Sequence, residues 1–224
     1  MDVCLEAREI SKIYRRGPIS VAAVQSVSLG VEKGQIVLLI GPSGSGKTTL
    51  LSILGCILRP TSGALYVNGT LVSDLPESRL PLIRRSCFGF VFQAFHLFPF
   101  LTALENVETA MRLRRVSDRK SKAMDLLVRC GLERRATFYP GDLSEGEKQR
   151  VAFARALAGD PRIVLADEPT ASLDSATGEE ILGMLRQFAK ELGKVVVMAS
   201  HDPRAQRFAD RVFSLTDGRI EALT

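Results

Sequence analysis

The sequence has no tryptophan, two histidines and four cysteines in 224 residues. The histidines, His96 and His201, are too few for a His-based metal centre, and the absence of a CxxC pair argues against zinc. The cysteines are scattered as Cys4, Cys56, Cys87 and Cys130. Such unpaired thiols are typical of a reducing compartment and argue against a disulfide scaffold.

The apolar runs are all too short for a membrane helix. The longest, 36–40 and 195–199, are of strand length, whereas a membrane helix needs about 20 predominantly apolar residues. The first residues hold no basic segment leading into an apolar core, so we expect no secretory signal. The net charge of +5 permits contact with nucleic acid or an anionic membrane and proves neither.

What the sequence does contain is the composition of an ordinary globular protein. With 46% hydrophobic and 25% charged residues, it is neither a disordered nor a collagen-like chain. A chain of this length forms one large domain or two small ones, and it buries most of its apolar surface without a disulfide or metal.

The apolar pattern predicts strands alternating with helices, and hence a mostly parallel sheet. A turn is expected at 15–18, an Asn-Gly hairpin at 68–69, a helix from the glycine-rich segment to about Ile57, and a helical insertion at about 101–159. The segment 175–192 is predicted as a crossover helix. Strands are expected near 3–7, 21–29, 36–40, 64–67, 70–72, 87–92, 163–166, 194–199 and 212–215.

A phosphate-binding loop is predicted directly after the strand 36–40. The segment 41–48 matches G-x-x-x-x-G-K-[ST] between a buried strand and a helix. Its glycines let backbone N–H groups surround phosphates, Lys47 can reach the β- and γ-phosphates, and the Thr48 hydroxyl can ligate Mg²⁺. The alternative is a flexible Gly/Ser loop. The candidate ATP-binding residues here are Gly41, Pro42, Ser43, Gly44, Ser45, Gly46, Lys47, Thr48 and Thr49.

Two carboxylates end the strand predicted at 163–166. In a parallel sheet, Asp167 falls at the carboxyl edge beside the phosphate loop, where open α/β sheets bind ligands. Asp167 can hold Mg²⁺, and Glu168 can orient and deprotonate an attacking water. The alternative is a strand that ends in a polar turn, with Pro169 as its stop.

Six further features, in order along the chain, resemble the ATP-binding cassette of ABC transporters. Tyr14 resembles the residue that stacks on adenine, Gln93 the Q-loop, and the segment 102–106 the start of the helical subdomain. The residues that resemble the signature motif are Leu143, Ser144, Glu145, Gly146 and Glu147. Those that resemble the D-loop are Ser172, Leu173 and Asp174, and His201 resembles the switch histidine.

The resemblance implies an α/β P-loop cassette with a mainly parallel central sheet, an antiparallel β-subdomain and a helical subdomain. Residues 1–224 would be one ATP-binding domain, with a catalytic core at about 1–93 and 161–224 and a helical subdomain at about 94–160. It also implies Mg²⁺ held by Thr48, Gln93 and Asp167. Catalysis would fall to Glu168, His201, Gln93 and Lys47, although a lone strand-end histidine is otherwise typical of a turn.

The resemblance further implies a homodimer formed on ATP binding, with ATP between the phosphate loop of one subunit and the signature of the other. Ser144 is expected to cap the helix that follows it. The signature departs from the usual Leu-Ser-Gly-Gly-Gln, because Glu145 replaces a glycine and Glu147 replaces the glutamine. Carboxylates favour a helix start but would repel phosphates, so we expect them to point away from ATP.

Segments 88–93, 96–99 and 101–107 most resemble the macrolide-exporter and lipoprotein-release branch. That branch implies an integral membrane permease, sometimes a periplasmic adaptor, and a peripheral position on the cytoplasmic face of the inner membrane. A regulatory ATPase of the cell-division type is the alternative. A nucleic-acid ATPase is disfavoured, because no long coiled coil or zinc module interrupts the motifs, so we expect no nucleic-acid partner.

Two surface features leave alternatives open. The basic residues are either a solvated helix face or a contact for lipid headgroups or an acidic partner. Three phenylalanines around Pro99 either pack in the core or line a groove for a permease helix, and the groove is favoured. The basic residues are Arg112, Arg114, Arg115, Arg119, Lys120 and Lys122, and the phenylalanines are Phe95, Phe98 and Phe100.

Overall fold

A computed structural model describes residues 3–223 as two sheets with helices packed around them. The strands are β1 Val3–Arg16, β2 Ile19–Glu32, β3 Ile36–Ile40, β4 Ser62–Val67, β5 Thr70–Leu71, β6 Phe88–Val91, β7 Ile163–Asp167, β8 Val195–Ala199, β9 Arg211–Thr216 and β10 Arg219–Ala222. The helices are α1 Lys47–Leu54, α2 Leu80–Cys87, α3 Ala103–Leu113, α4 Arg119–Arg129, α5 Glu145–Leu157 and α6 Ser175–Leu192.

The larger sheet has the order β10-β9-β3-β8-β7-β6. Its strands are parallel except for β10, which closes one edge antiparallel to β9. Strands β3, β7 and β8 are buried on both faces, as expected of a sheet covered on both sides. Their carboxyl ends lie side by side, so the segments that follow Ile40, Asp167 and Ala199 share one edge.

The smaller sheet is antiparallel, with the order β2-β1-β4-β5. Strands β1 and β2 are longer than the sequence predicts, because bulges bend one continuous ribbon instead of ending it. Glu9 and Ser26 fall at these register shifts with positive φ angles of 51° and 49°. Asn68 and Gly69 form the expected hairpin turn, with φ angles of 48° and 74°.

Side chains alternate between two cores on the two faces of the larger sheet. Val37 and Leu39 face a core shared with α1 and the antiparallel sheet. Ile36 and Leu38 face a second core shared with α3, α4, α5 and α6. The phosphate-loop side and the helical side of the molecule are therefore packed independently.

The helical insertion predicted at 101–159 is present as α3, α4 and α5 between β6 and β7. One local prediction was wrong, and one helix was missed. Helix α1 ends at Leu54 and not at Ile57, because Gly55 caps it and Cys56 takes a φ of 56°. Helix α2 was not predicted, since it is a short turn of eight residues opened by Pro81. No helix within residues 3–223 has the length and apolarity needed to cross a membrane.

Candidate functional site

An open cleft of about 540 Å³ lies at the carboxyl edge of the larger sheet. It brings together the predicted phosphate loop, Gln93, Glu168 and His201. Its lining residues are Ala23, Gly41, Pro42, Ser43, Gly44, Gly46, Lys47, Thr48, Thr49, Gln93, Glu168 and His201.

The glycines shape the loop where no side chain has room. Gly46 has a φ of 105°, and a Cβ there would lie 2.2 Å from the carbonyl oxygen of Ala23. A Cβ at Gly41 would lie 2.2 Å from the carbonyl oxygen of Leu215. The loop is thus held against the backbone of both sheets, and its N–H groups precede the start of α1.

Lys47 is the first residue of α1 and is nearly buried at 8% exposure. Its Nζ donates to the carbonyl oxygens of Gly41 at 2.8 Å and Pro42 at 3.0 Å. These bonds fold the ammonium group back over the loop, so its positive charge lies within the predicted phosphate-binding loop.

Asp167 ends β7 and is largely shielded from solvent. Burial raises the pKa of Asp167, while a hydrogen bond from Thr48 and the charge of Lys47 oppose that rise. Its Oδ1 is buried and has no hydrogen-bond partner among the described residues. A buried carboxylate oxygen with a free lone pair, beside a threonine hydroxyl, fits a hard cation such as Mg²⁺.

Glu168 follows β7 in a left-handed conformation, with a φ of 48°. Its Oε2 lies 2.9 Å from His201 Nδ1 and accepts a hydrogen bond of 3.2 Å from the His201 backbone N–H. The hydroxyl of Ser200 donates to the same oxygen at 3.3 Å. The predicted base and the predicted switch histidine are therefore in direct contact.

A hydrogen-bond network supports this pair from behind. Ser200 Oγ accepts from the Asp202 N–H at 3.0 Å, and Asp202 Oδ2 accepts from Thr170 Oγ1 at 3.0 Å. Gln149, on α5, donates from Nε2 to the carbonyl oxygen of Pro169 at 2.7 Å and is buried. The turn after Glu168 is thus tied both to the segment after β8 and to a helix of the insertion.

The signature-like segment forms the start of α5, as expected. The Ser144 hydroxyl accepts from the Glu147 N–H at 3.2 Å, and Glu147 Oε2 accepts from the Ser144 N–H at 2.9 Å. This reciprocal pair is a capping box. Glu147 also accepts from Arg135 Nε at 2.7 Å, and Glu145 from Lys148 Nζ at 3.0 Å. Both carboxylates are engaged by cations of their own chain.

The helix that follows the D-loop-like segment packs against that helix start. Asp174 caps α6, and its Oδ2 accepts from Thr177 Oγ1 at 2.7 Å. That hydrogen bond is the main reason why the pKa of Asp174 lies below its usual range. A Cβ on Gly146 would lie 2.5 Å from Thr177 Cγ2, so this glycine allows α5 to approach α6.

The turn after Gln93 is held in a costly conformation. Phe95 and His96 have consecutive positive φ angles of 58° and 51°, and each such residue costs about 1–3 kcal/mol. Arg155 of α5 donates to the carbonyl oxygen of Phe95 at 2.6 Å and to that of His96. Burial lowers the pKa of this guanidinium. Arg155 thus fixes the turn without a carboxylate partner among the described residues.

An exposed aromatic surface lies beside this turn. Phe98 and Phe100 are 52% and 88% exposed, so packing in the core does not explain these two. Phe138 and Tyr139 are exposed next to them, since the Phe138 carbonyl accepts from the Ala103 N–H at 2.8 Å. We call these four residues (Phe98, Phe100, Phe138 and Tyr139) the aromatic surface.

The buried side chain of Asn106 holds the loop that presents Phe98 and Phe100. Its Oδ1 accepts from the Phe98 N–H at 2.8 Å. Its Nδ2 donates to the carbonyl oxygens of Phe98, Leu101 and Thr102. Exposed aromatics on a loop fixed from within are typical of a binding surface.

Tyr14 lies outside the cleft, near the end of β1, and is 45% exposed. The Lys12 ammonium lies 5.5 Å from its ring centroid. The predicted stacking on adenine stays a prediction. The predicted basic face needs one correction: Arg114 is partly buried and donates to the carbonyl oxygens of Phe88 and Gly159, so it faces the protein and not solvent.

The described structure gathers one half of the predicted site. The phosphate loop, Gln93, Glu168 and His201 line one cleft, whereas Tyr14, the signature residues and the D-loop residues do not. Sequence reasoning assigned no role to Gln149, Arg155 or Asn106. A signal was available, because Asn106 and Gln149 fall on the apolar, buried faces of α3 and α5.

Comparison with known proteins identifies relatives of this chain. The ABC transporter family model matches residues 24–171. An uncharacterised ABC transporter ATP-binding protein of Methanocaldococcus jannaschii, MJ0796, is 43% identical over 223 residues, covering 97% of this chain and 95% of its own. The dimeric, post-hydrolysis structure of MJ0796 bound to ADP and Pi has a TM-score of 0.91 with 43% identity, over 97% of this chain and 96% of that one.

A second kind of relative is larger. The macrolide export ATP-binding/permease protein MacB of Vibrio parahaemolyticus is 40% identical over 225 residues. That alignment covers 100% of this chain but only 34% of MacB, so the chain spans about a third of this relative's length.

Proposed function

The chain belongs to the ABC transporter family, and from this premise we propose that it is the ATP-hydrolysing subunit of an export complex, in which closure of two copies on ATP energises a membrane permease. The coarser part follows from the family: the chain is an ABC ATP-binding cassette. The coupling to export, the direction and the partners are the proposal. MacB, which joins ATP-binding and permease functions by name, supports the export branch.

One observation carries the proposal. The cleft joins a phosphate loop to Glu168, His201 and Gln93, while Ser144 caps a helix start outside the residues that line it. A single described chain therefore offers a cradle and a base, but not the signature's N–H groups and hydroxyl. A second copy, arranged head to tail, would bring its Ser144 to the γ-phosphate. The dimeric structure of MJ0796 supports two copies acting together.

The chemistry assigned to the cleft is hydrolysis of ATP by an activated water. Lys47 and the loop N–H groups bind the phosphates. Glu168 accepts the proton of the attacking water, a role worth about 10²–10⁴ in rate for a positioned base. His201 holds that carboxylate through Nδ1 and would bond the γ-phosphate in the closed dimer.

Mg²⁺ is part of the same proposal. Thr48, Asp167 and Gln93 are the residues that would hold it, and the unpartnered Oδ1 of Asp167 fits that role. When bound, the cation would neutralise charge on the β- and γ-phosphates.

The membrane partner would dock on the aromatic surface. This surface adjoins the turn after Gln93, so its displacement is felt at the cleft through a short stretch of chain. We propose that residues 94–160 move as a helical subdomain against a core of 1–93 and 161–224. The chain would sit peripherally at the cytoplasmic face of the inner membrane, with a periplasmic adaptor in the complex.

The direct test replaces Glu168 by Gln and measures three quantities. ATP binding should be retained, hydrolysis should fall by about 10²–10⁴-fold as expected for loss of a general base, and an ATP-dependent dimer should accumulate in sedimentation. The matched control is Glu9→Gln, in the antiparallel sheet, which should change none of them. Normal turnover in Glu168→Gln would remove Glu168 from the base role.

The partner is tested by capturing tagged Glu168→Gln from solubilised membranes with and without ATP. An integral membrane protein with a large extracytoplasmic domain, together with an adaptor, supports export. A septal or cell-wall partner instead supports the regulatory ATPase. Capture should fail for a variant with Phe98 and Phe100 both changed to Ser, whereas its ATP binding should remain.

A further inference from the structure

Two negative charges lie in the first turn of α5, where the proposed dimer brings the phosphates of a partner-bound ATP. Glu145 and Glu147 flank Gly146 immediately after the capping residue Ser144. Carboxylates near a helix start are favourable in isolation. Beside a triphosphate they oppose binding unless nearby cations offset them, because like charges at short range repel.

The two carboxylates are not held alike. Glu145 is 52% exposed in its side chain and bonds Lys148 of the same helix, an i,i+3 surface pair of little consequence. Glu147 is 19% exposed and bonds Arg135, which comes from outside the helix in the short turn Glu133–Arg135. Only the second pair joins the signature to another segment of the chain.

Glu147 uses both of its oxygens to do so. Its Oε1 accepts from Arg135 Nε at 2.7 Å, and its Oε2 accepts from the Ser144 N–H at 2.9 Å. The bond from Arg135 is the first cause that holds the pKa of Glu147 below its usual range, so this carboxylate is ionised at neutral pH. The position of the Ser144 backbone thus depends on where Arg135 places the carboxylate.

Arg135 is itself anchored to the aromatic surface. Its guanidinium lies 4.9 Å from the ring centroid of Phe138. The backbone carbonyl of Phe138 in turn accepts from the Ala103 N–H at the start of α3. Contacts therefore run without interruption from an exposed aromatic ring, through one guanidinium and one carboxylate, to the signature serine.

We propose that Arg135 is a positioning residue for ATP-driven closure: it neutralises Glu147 and holds Ser144 where the γ-phosphate of the partner-bound ATP must be met. The inference rests on the proposed function, since it concerns the head-to-tail dimer. It assigns Arg135 a compensating role for the carboxylate that stands where the usual signature has glutamine. Removing the guanidinium leaves Glu147 as an uncompensated charge at the helix start that meets the incoming phosphates.

The test is a double-mutant cycle in the Glu168→Gln background, read as the ATP-dependent dimer dissociation constant by sedimentation. Arg135→Met keeps an apolar side chain over Phe138 but should weaken dimerisation about tenfold, as for a lost charged hydrogen bond. Glu147→Gln should stay within about threefold of the parent, because the amide still caps without a charge. Arg135→Met combined with Glu147→Gln should recover to within about threefold of Glu147→Gln alone.

The matched control is Arg134→Met, which removes an equal charge from the same short turn on an exposed side chain. If it weakens dimerisation as much as Arg135→Met does, the effect is one of overall charge and the inference fails. It also fails if the Glu147→Gln change does not rescue Arg135→Met, since removing the charge of Glu147 would not repair a loss of Arg135 packing. ATP binding to the monomer should be equal throughout.

A second measurement separates this inference from the proposed function. Amide hydrogen exchange at Ser144, in the chain without ATP, should quicken in Arg135→Met and not in Arg134→Met, because the acceptor of that N–H is no longer held. A parent that never dimerises with ATP would overturn the proposed function, and the exchange comparison would still decide the positioning role. Unchanged amide exchange at Ser144 in Arg135→Met would overturn the positioning role of Arg135.

Discussion

Two regions of the molecule are built in different ways: the cleft that contains the phosphate loop, and the helix start at residues 144–147, which we call the signature turn. The cleft is made at the ends of parallel strands, where Gly46 lies against the Ala23 backbone and Glu168 follows β7 directly. The signature turn is made at a helix start, where the side chains of Ser144 and Glu147 satisfy each other's N–H groups. Main-chain packing fixes the first, and side-chain hydrogen bonds hold the second.

This difference shows which of the two regions can tolerate substitutions. A cleft held by backbone contact offers little room for change, since a displaced carbonyl disturbs two sheets at once. A helix cap held by polar side chains can accept substitutions when a compensating group is near, as with Glu147 and Arg135. This contrast accounts for a phosphate loop that keeps its full pattern beside a signature that departs from it.

The largest effect is expected for a substitution in the phosphate loop, Gly46→Ala. Gly46→Ala should lower the free energy of unfolding by about 3 kcal/mol or more, since it combines a φ of 105° with a Cβ 2.2 Å from a main-chain oxygen. ATP binding should be lost with it. Denaturant unfolding and ATP titration measure both quantities.

Gly146→Ala is the matched change in the signature turn. Its Cβ would lie 2.5 Å from Thr177 Cγ2 and 3.7 Å from Thr177 Cβ and Oγ1, all side-chain atoms, and alanine gains about 1 kcal/mol of helix propensity over glycine. The net change in stability should therefore stay within about 1 kcal/mol. Equal losses at Gly46 and Gly146 would contradict the contrast between the two halves.

An intermediate effect is expected at Tyr14, outside the cleft. Tyr14→Ala should weaken ATP binding by about 1 kcal/mol, as for one lost stacking contact, without a change in unfolding, because Tyr14 is 45% exposed. Binding of inorganic tripolyphosphate should not change, since it has no base to stack. Tyr139→Ala is the control for loss of an exposed ring, and an equal loss of tripolyphosphate binding would rule out stacking.

The smallest effect is expected in the signature. Glu145→Gly should change the ATP-dependent dimer dissociation constant by well under tenfold, or less than about 1.4 kcal/mol, because Glu145 is exposed and bonded to Lys148 at 3.0 Å. Glu145→Gln controls for the loss of helix propensity. A dimer that tightens by more than tenfold in both variants would show that this carboxylate faces the phosphates.

The sequence predicted the fold where local patterns suffice. The crossover helix at 175–192 and the Asn-Gly hairpin are confirmed, since capping and turn residues lie within the segments themselves. The full lengths of β1 and β2 were not predictable, because bulges at Glu9 and Ser26 continue a ribbon whose alternation is broken. Helix α2 was not predicted, because its eight residues are too few to show a clear helical periodicity of apolar positions.

The candidate site was likewise predictable only where a local sequence pattern defines it. The phosphate loop is a contiguous pattern, and the carboxyl-edge rule places Asp167 and Glu168 near it. The contact of His201 with Glu168 and the bond of Gln149 to Pro169 join segments far apart in the chain. No local pattern encodes which of several polar side chains will meet across such distances.

Helix α5 is tied to the candidate site at three points along its length. Ser144 caps its start, Gln149 bonds the carbonyl oxygen of Pro169 next to Glu168, and Arg155 bonds the turn after Gln93. At a rise of about 1.5 Å per residue, Gln149 lies about 7.5 Å from Ser144 and about 9 Å from Arg155 along the helix axis. A single helix therefore connects the signature-like segment to the turn after β7 and to the turn after β6.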